Sequence, residues 1–122
     1  MERFSPKQMG VVAGGVFVAI ALSAGAALAQ SRELWMASGD TTSVTGYFME
    51  GERIWGTCDE DCQDLDITLL SADGEPVAED VLPDANPVVV APFEGSYTLV
   101  ITMPTCTTPA GCAVWLDSDQ GF

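Results

Sequence analysis

The sequence contains no histidine, and its single lysine, Lys7, lies near the start of the chain. Histidine and lysine are the usual bases that activate a serine or cysteine nucleophile, so residues 30–122 have no such catalytic pair. No glycine-rich phosphate loop follows a strand and opens a helix. Paired carboxylates for glycoside cleavage remain in principle, but a domain this small offers little cleft to desolvate one. The sequence therefore predicts a protein that is not an enzyme.

Positive charge is scarce as well. Residues 30–122 contain two arginines, Arg32 and Arg53, against 17 acidic residues, which gives a formal charge of −15 at neutral pH. A nucleic-acid partner requires cationic side chains that displace counterions from phosphates, and the same argument of sign disfavours an anionic membrane surface. Such a charge keeps copies of a small domain apart and attracts cations. We therefore expect no nucleic-acid partner.

The first 29 residues differ from the rest of the chain. Arg3 and Lys7 precede Met9–Ala29, a run of 21 residues without a charge that ends in alanine, leucine and alanine. A basic start, an apolar middle and a small-residue exit are typical of a secretory signal peptide, and cleavage would fall near Gln30. The sequence thus predicts an N-terminal hydrophobic helix over residues 1–29.

The same run is long enough to remain as a transmembrane anchor, since about 20 residues cross a bilayer. Gly10 and Gly14 have a spacing that lets membrane helices approach closely, whereas the small-residue exit favours removal. In either case the basic end stays in the cytoplasm and the remainder is exported. The protein is expected to be periplasmic or secreted, and to contact the inner membrane only through residues 9–29 if they are retained.

Four cysteines form two close pairs, Cys58 with Cys62 and Cys106 with Cys112. In an exported chain of this size they indicate two structural disulfides. Three pairings are possible, and we favour the two local ones, each worth roughly 2 kcal/mol in the loop-entropy model. A redox role is disfavoured because the three acidic residues between Cys58 and Cys62 would raise a thiol pKa. A four-cysteine zinc site is disfavoured by the spacing and by export.

Beyond Val44 the pattern is that of an all-β protein. Short apolar runs alternate with turn residues, and no apolar period of 3.6 residues extends over a useful length. Asp73-Gly74 is a hairpin signal, and Tyr97, Leu99 and Ile101 share one face of a strand. About seven strands predict a two-sheet antiparallel sandwich. The predicted strands lie within residues 42–49, 53–58, 66–74, 75–82, 86–95, 96–103 and 112–118.

The predicted domain organisation follows from these patterns. Residues 1–29 form the signal peptide or anchor, residues 30–41 a linker, and residues 42–122 the β-sandwich domain. Within the linker, residues 31–38 have a weak signal for a helical turn.

Two segments, DLDITLLSADGEPVAED (64–80) and VVVAPFEGSYTLVITM (88–103), resemble the bacterial pre-peptidase C-terminal (PPC) domain family. The family pattern joins a strand of the form Asp-x-Asp-hydrophobic to an aspartate–glycine turn, a short return strand and a Gly-x-Tyr strand. The match covers about residues 42–118. The matching positions are Asp64, Asp66, Ile67, Leu69, Asp73, Gly74, Val77, Pro92, Gly95, Tyr97, Leu99 and Ile101.

The resemblance implies a jelly-roll-like β-sandwich that serves secreted proteases and other exported enzymes as a non-catalytic module for secretion, substrate contact or stability. This chain departs from the family in two respects, because its sequence carries no enzyme domain and it has two cysteine pairs. Cysteine pairs of this kind look like those of small stand-alone exported proteins.

Four acidic residues, Asp59, Asp61, Asp64 and Asp66, are candidate oxygen ligands for calcium. Some collagen-binding relatives of the family bind calcium, so the resemblance makes such a site a candidate here. The spacing is not that of an EF-hand loop. The favoured alternative is a solvated acidic turn in which aspartates cap their own backbone. Apart from this candidate calcium ion, no cofactor is expected.

The large aromatic residues are expected mainly in the core. Trp55 and Trp115 belong to predicted strands and are assigned to the interior. Trp35 lies outside the predicted sandwich and is the candidate for contact with a partner or a membrane interface.

The sequence therefore predicts a non-enzymatic, exported, disulfide-containing β-sandwich that acts as a binding or accessory module for a protein or another envelope component. One alternative is a membrane-anchored accessory subunit of a membrane protein complex, with the sandwich on the periplasmic side. A second alternative is a calcium-stabilised adhesion module.

Overall fold

A computed structural model describes residues 31–122, which fold into eight β-strands in two antiparallel sheets of four strands each. Sheet A has the strand order β1-β8-β3-β6, and sheet B has the order β2-β7-β4-β5. The predicted all-β, two-sheet antiparallel sandwich is confirmed, and the predicted N-terminal helix lies outside the described residues. Strands β1 to β8 are Arg32–Met36, Thr41–Phe48, Arg53–Cys58, Cys62–Ser71, Pro76–Asp80, Val88–Val90, Gly95–Cys106 and Cys112–Ser118.

Each of the seven predicted segments contains a strand. The central strands of sheet B are longer than predicted, because β4 and β7 continue their pairing as far as Cys62 and Cys106. The hairpin predicted at Asp73-Gly74 is present, with Gly74 at φ 85° and its N–H donated to the Ser71 carbonyl at 2.9 Å. A positive φ of this kind favours glycine. No helix long and apolar enough to cross a membrane occurs in residues 31–122.

The structure differs from the expectation at the first strand. Where the sequence favours a linker or a helical turn at residues 31–38, the structure has β1, Arg32–Met36, at the edge of sheet A. The strand is short, and only Met36 in it is fully buried, so its apolar alternation is weak. It is held by antiparallel pairing with β8, in which Met36 lies opposite Cys112. A strand stabilised by a distant partner leaves little local signal in its own residues.

The core lies between the two sheets, and the strand alternation decides which side chains enter it. On β7 the predicted face is confirmed, because Tyr97, Leu99 and Ile101 are all buried. On β4, Leu65 and Ile67 are completely buried and alternate with partly exposed neighbours. Since neighbouring residues of a strand point to opposite faces, the same alternation identifies the outer surface of each sheet.

One buried carboxylate joins the turn between β2 and β3 to the end of β8. Glu52 is 4% exposed, and its side chain accepts hydrogen bonds from the Ser118 hydroxyl at 2.6 Å, the Met49 N–H at 2.8 Å and the Gln120 N–H at 3.2 Å. A buried carboxylate is tolerated when its oxygens are bonded in this way. Glu52 therefore ties the C-terminal segment to sheet A.

The adjacent edges of the two sheets are joined by an aspartate. The Asp80 carboxylate at the end of β5 accepts hydrogen bonds from the Val88 N–H at 3.0 Å and the Leu82 N–H at 3.2 Å. Val88 begins β6, which is one of the two edge strands of sheet A. The bond thus occupies one donor of an edge strand that would otherwise be open to pairing.

Candidate binding surface

The two disulfides predicted from the spacing are present. Cys58 is bonded to Cys62 with an S–S length of 2.06 Å, and Cys106 to Cys112 with 2.08 Å. The first bridge connects β3 of sheet A to β4 of sheet B, and the second connects β7 of sheet B to β8 of sheet A. Cys62 and Cys106 are partners across β4 and β7, so the bridges lie side by side at one end of the sandwich. Both therefore hold the two sheets together.

The four aspartates predicted as calcium ligands are not gathered into one site. The Asp59 carboxylate accepts hydrogen bonds from the Asp61 N–H at 3.1 Å and the Ala113 N–H at 2.8 Å. This geometry corresponds to the alternative in which an aspartate caps its own turn. Among residues 31–122, no three acidic or cysteine side chains are arranged to hold a metal ion.

Asp64 and Asp66 form a separate acidic pair on β4. One carboxylate oxygen of each is fully buried and has no hydrogen-bond partner within residues 31–122. Burial, followed by the negative charge of Asp64 and those of Asp80 and Asp84, raises the pKa of Asp66 from its ordinary 3.8 to about 6. A carboxylate that is partly buried beside other negative charges ionises less readily than a free one. The pair is therefore an electrostatically unfavourable feature of the fold at neutral pH.

The outer face of sheet A carries all three tryptophans of the sequence, Trp35, Trp55 and Trp115. Trp55 and Trp115 are partly exposed and alternate with completely buried residues, Ile54 on β3 and Leu116 on β8. The prediction that Trp55 and Trp115 fill the core is therefore wrong. The size and apolar character of indole favour burial. In both strands, however, the alternation of inward and outward side chains places the tryptophan at an outward position. The outer face of sheet A is called the tryptophan face below.

Trp35 is 62% exposed and lies on β1, and is thus part of the sandwich rather than outside it. Its indole Nε1–H donates a hydrogen bond to the Ala110 carbonyl at 2.8 Å. The indole also lies against Gly111, where a Cβ atom would come within 2.5 Å of Nε1. The loop before β8 therefore holds the indole ring while leaving most of it open to solvent. Its role in contacting a partner stays a prediction.

The three tryptophans form a diagonal line across three adjacent strands. Trp35 on β1 lies opposite Ala113, which is two residues before Trp115 on β8. On the other side of β8, Trp55 on β3 lies opposite Asp117, which is two residues after Trp115. Side chains in this diagonal relation are roughly 7–8 Å apart, within reach of aromatic rings. The line crosses β1, β8 and β3 in order.

A parallel line of carboxylates accompanies the tryptophans. Glu33 on β1 lies directly opposite Trp115, and Asp117 on β8 lies directly opposite Trp55. Directly opposite side chains have Cβ atoms about 4.5–5.5 Å apart. Glu33 is exposed and Asp117 is partly exposed. Two of the three indoles therefore have a carboxylate beside them on the same face.

Apart from Arg53, the rest of the tryptophan face is small or apolar. Ala113 and Thr57 occupy the other flank of the line, and β6 adds Val88 and Val90, which are 46% and 47% exposed. Arg53 also lies on this face, where its Nη2 atom is 2.8 Å from an Asp119 carboxylate oxygen. This ion pair lowers the pKa of Asp119. The positive charge of Arg53 is thus matched locally.

The outer face of sheet B has a different chemistry. Hydroxyl side chains predominate there, and Tyr47 on the edge strand β2 is an exposed aromatic residue whose hydroxyl donates to Glu94 at 2.7 Å. Because the outer surface of one sheet is aromatic and that of the other is largely hydroxyl-bearing, the two sides of the sandwich are suited to different contacts. The outward hydroxyl residues of sheet B are Thr41, Ser43, Thr45, Thr68, Ser96, Thr98 and Thr102.

The sequence did contain a signal for the tryptophan face. In β8, Val114 and Leu116 alternate with Trp115 and Asp117, and a charged residue in phase with a tryptophan indicates that both point to solvent. The sequence contains no signal for the diagonal line of the three tryptophans, because that line depends on the register between β1, β8 and β3.

The tryptophan face is open rather than enclosed, since residues 31–122 contain no cleft of ligand size. An open aromatic surface can stack on planar or cationic groups. Comparison with protein-family models and with curated proteins finds no match for this chain.

Proposed function

We propose that this protein is an exported, non-enzymatic β-sandwich module that binds a protein or another component of the bacterial envelope through the tryptophan face. The observation that carries the proposal is the alignment of Trp35, Trp115 and Trp55 on one outer surface. Tryptophan is among the residues most enriched at the energetic centres of interfaces. A group of exposed aromatic residues on one side of a small domain indicates a contact surface.

Preorganisation supports the same assignment. The hydrogen bond from Trp35 to Ala110 and the close approach of Gly111 restrict the indole before any partner arrives. A restrained side chain loses little conformational entropy on binding, so its contacts contribute more fully to affinity.

Export is proposed on two grounds. The leader, residues 1–29, has the composition of a signal peptide, and the two disulfides that join the sheets suit an oxidising compartment. The proposed location is the periplasm or the exterior.

Membership of the PPC family and a jelly-roll-like arrangement also belong to the proposal. In chain order the strands lie in sheets A, B, A, B, B, A, B and A, so consecutive strands mostly alternate between the sheets. Such crossing favours a jelly-roll-like arrangement over two separate meanders. The motif residues Asp73-Gly74 and Tyr97 occupy the turn and strand that the family pattern requires.

The binding proposal is tested with the double variant Trp35→Ala/Trp115→Ala. The control is Tyr47→Ala, which removes from sheet B an aromatic side chain as exposed as that of Trp35. Each protein is isolated from the envelope, immobilised, and incubated with solubilised envelope components that are quantified by mass spectrometry. We expect the tryptophan variant to lose specific partners that the control retains, with both variants showing native circular dichroism. Equal retention by the tryptophan variant and the wild type would refute this surface as the binding site.

A second candidate function is an accessory subunit of a membrane protein complex, anchored by residues 9–29. It is favoured by the length of the uncharged run, which suffices to cross a bilayer. The two proposals differ in the mature N-terminus. Mass spectrometry of the native protein decides between them, because a chain that begins at Gln30 has lost the anchor.

A further inference from the structure

We propose that the tryptophan face recognises an extended, arginine-bearing polypeptide segment, whose guanidinium groups stack on the line of Trp35, Trp115 and Trp55 and pair with Glu33 and Asp117. This inference rests on the proposed function, since it requires that the face be a binding surface. It adds the chemical class of the partner and the spacing of the groups that are recognised.

The first argument is the pairing of indoles with carboxylates. Trp115 has Glu33 directly opposite on β1, and Trp55 has Asp117 directly opposite on β8. A cation above an indole is attracted by the negative face of the ring, most strongly for tryptophan. A guanidinium has a planar surface for stacking and a fork of donors for a carboxylate, so one arginine can use both groups together.

The second argument is the charge of the domain. The described residues contain 17 acids and two arginines. Arg53 is engaged by Asp119, and the Arg32 guanidinium lies 5.7 Å from the centre of the Phe122 ring. An anionic surface increases the rate at which a cationic partner arrives and repels nucleic acids and anionic lipids. Charge complementarity therefore selects a cationic occupant.

The third argument is distance. Successive tryptophans on the diagonal are about 7–8 Å apart. An extended polypeptide advances about 3.3 Å per residue, so alternate side chains on one side are about 6.6 Å apart. Arginines at positions i, i+2 and i+4 of an extended segment therefore match Trp35, Trp115 and Trp55. The open surface accommodates such a segment, since no part of it needs to enter a cleft.

A glycan is the competing occupant, because sugars also stack on tryptophan. A neutral sugar gains nothing from the sign of the charge, so its binding would depend on the indoles and be nearly independent of salt. The salt dependence of binding thus distinguishes the two occupants, because carboxylates such as Glu33 and Asp117 can also accept hydrogen bonds from sugar hydroxyls.

The test uses the purified exported protein and two capped pentapeptides of the same composition. In one, arginine occupies the first, third and fifth positions with serine between, and in the other the three arginines are consecutive. All three tryptophans of the chain lie on the proposed site, so their intrinsic fluorescence reports occupancy directly. We expect the alternating peptide to bind several-fold more tightly than the consecutive one, and its affinity to fall as salt is added.

Carboxylate variants locate the site. Glu33→Gln/Asp117→Asn removes two charges from the tryptophan face, and Glu79→Gln/Asp73→Asn removes two exposed charges near the edge of sheet B. We expect the first pair to weaken binding of the alternating peptide about tenfold and the second pair to weaken it less than twofold. Equal losses would mean unspecific attraction to an acidic protein and would overturn the inference.

Four further outcomes also overturn it. Equal affinity for the two peptides would refute the spacing argument. Binding of neutral oligosaccharides that is abolished by Trp35→Ala/Trp115→Ala and is nearly independent of salt would identify a glycan partner instead. If the envelope partners are lost with the tryptophan variant while neither peptide binds, the proposed function stands and the inference on arginine fails. If no partner depends on the tryptophans, both fail.

Discussion

Asp66 provides a sharp test of the electrostatics of this fold, because its replacement by asparagine should stabilise the protein. One carboxylate oxygen of Asp66 is fully buried, and burial together with the charge of Asp64 raises its pKa to about 6. The ionised form is therefore less favourable in the folded protein than in the unfolded chain. Asparagine has nearly the same shape and carries no charge, so Asp66→Asn removes that penalty.

The magnitude follows from the shift in pKa. The rise of the Asp66 pKa from 3.8 to about 6 corresponds to at most about 3 kcal/mol, since one unit is worth about 1.4 kcal/mol. Asp66 is partly exposed, and solvent screening reduces this figure, so we expect a gain of ~1–2 kcal/mol at neutral pH. For a domain of this size that gain raises Tm by roughly 4–16 °C.

The sign of the pH dependence is fixed by linkage. Between about pH 4 and pH 6 the folded protein holds a proton on Asp66 that the unfolded chain has released, so the free energy of unfolding falls as pH rises through this window. Below the window the aspartate is protonated in both states and resembles asparagine. The advantage of Asp66→Asn should therefore be small at pH 4 and fully developed at pH 7.5.

The assay is urea unfolding followed by tryptophan fluorescence, performed at both pH values. Glu79→Gln is the matched control, because it removes one negative charge from an exposed site on the neighbouring strand β5 and should change stability by less than about 0.5 kcal/mol. An equally large stabilisation by Glu79→Gln would mean that the effect comes from the lower net charge of the protein. Destabilisation by Asp66→Asn at pH 7.5 would refute the reasoning, and a loss that appears only with added calcium would indicate that Asp64 and Asp66 hold the ion.

Three further predictions concern the frame of the sandwich. Glu52→Gln should lower the free energy of unfolding by ~2–3 kcal/mol in urea titrations, because it places an amide where the buried carboxylate accepts three hydrogen bonds; a loss below about 0.5 kcal/mol would contradict that role. Replacing Cys58 and Cys62 together by serine should cost roughly 2 kcal/mol, measured as a lower Tm, and an unchanged Tm would show that the bridge adds nothing to the pairing of the sheets. Gly111→Ala should destabilise the loop and shift the emission of Trp35, because the residue has φ 97° and its Cβ would strike the indole; an unchanged emission spectrum would mean that Trp35 is not held there.

The tryptophan face relates these structural features to the proposed function. The loop that contains Gly111 positions Trp35, and the disulfide from Cys106 to Cys112 closes that same loop. The bridge therefore restrains the loop that holds Trp35. We therefore expect reduction of this disulfide to weaken the proposed binding to a partner before the core of the sandwich unfolds.

Some properties of this protein follow from the amino-acid sequence alone. The strands from β2 to β8 are readable because apolar residues alternate with polar ones and turn residues such as Asp73-Gly74 separate them. The local disulfides follow from the spacing of Cys58 with Cys62 and of Cys106 with Cys112, since short loops close most readily. Both signals lie within a few neighbouring residues, and this is why they can be read without the fold.

Other properties were decided only by the tertiary structure. β1 exists because β8, from the opposite end of the domain, supplies its hydrogen bonds, and the line of Trp35, Trp115 and Trp55 exists because of the register between three strands. The raised pKa of Asp66 likewise depends first on burial, then on the nearby Asp64, and in smaller part on Asp80 and Asp84, which other segments bring close to it. Pairing, register and burial are relations between residues distant in the chain, and local periodicity carries no information on them.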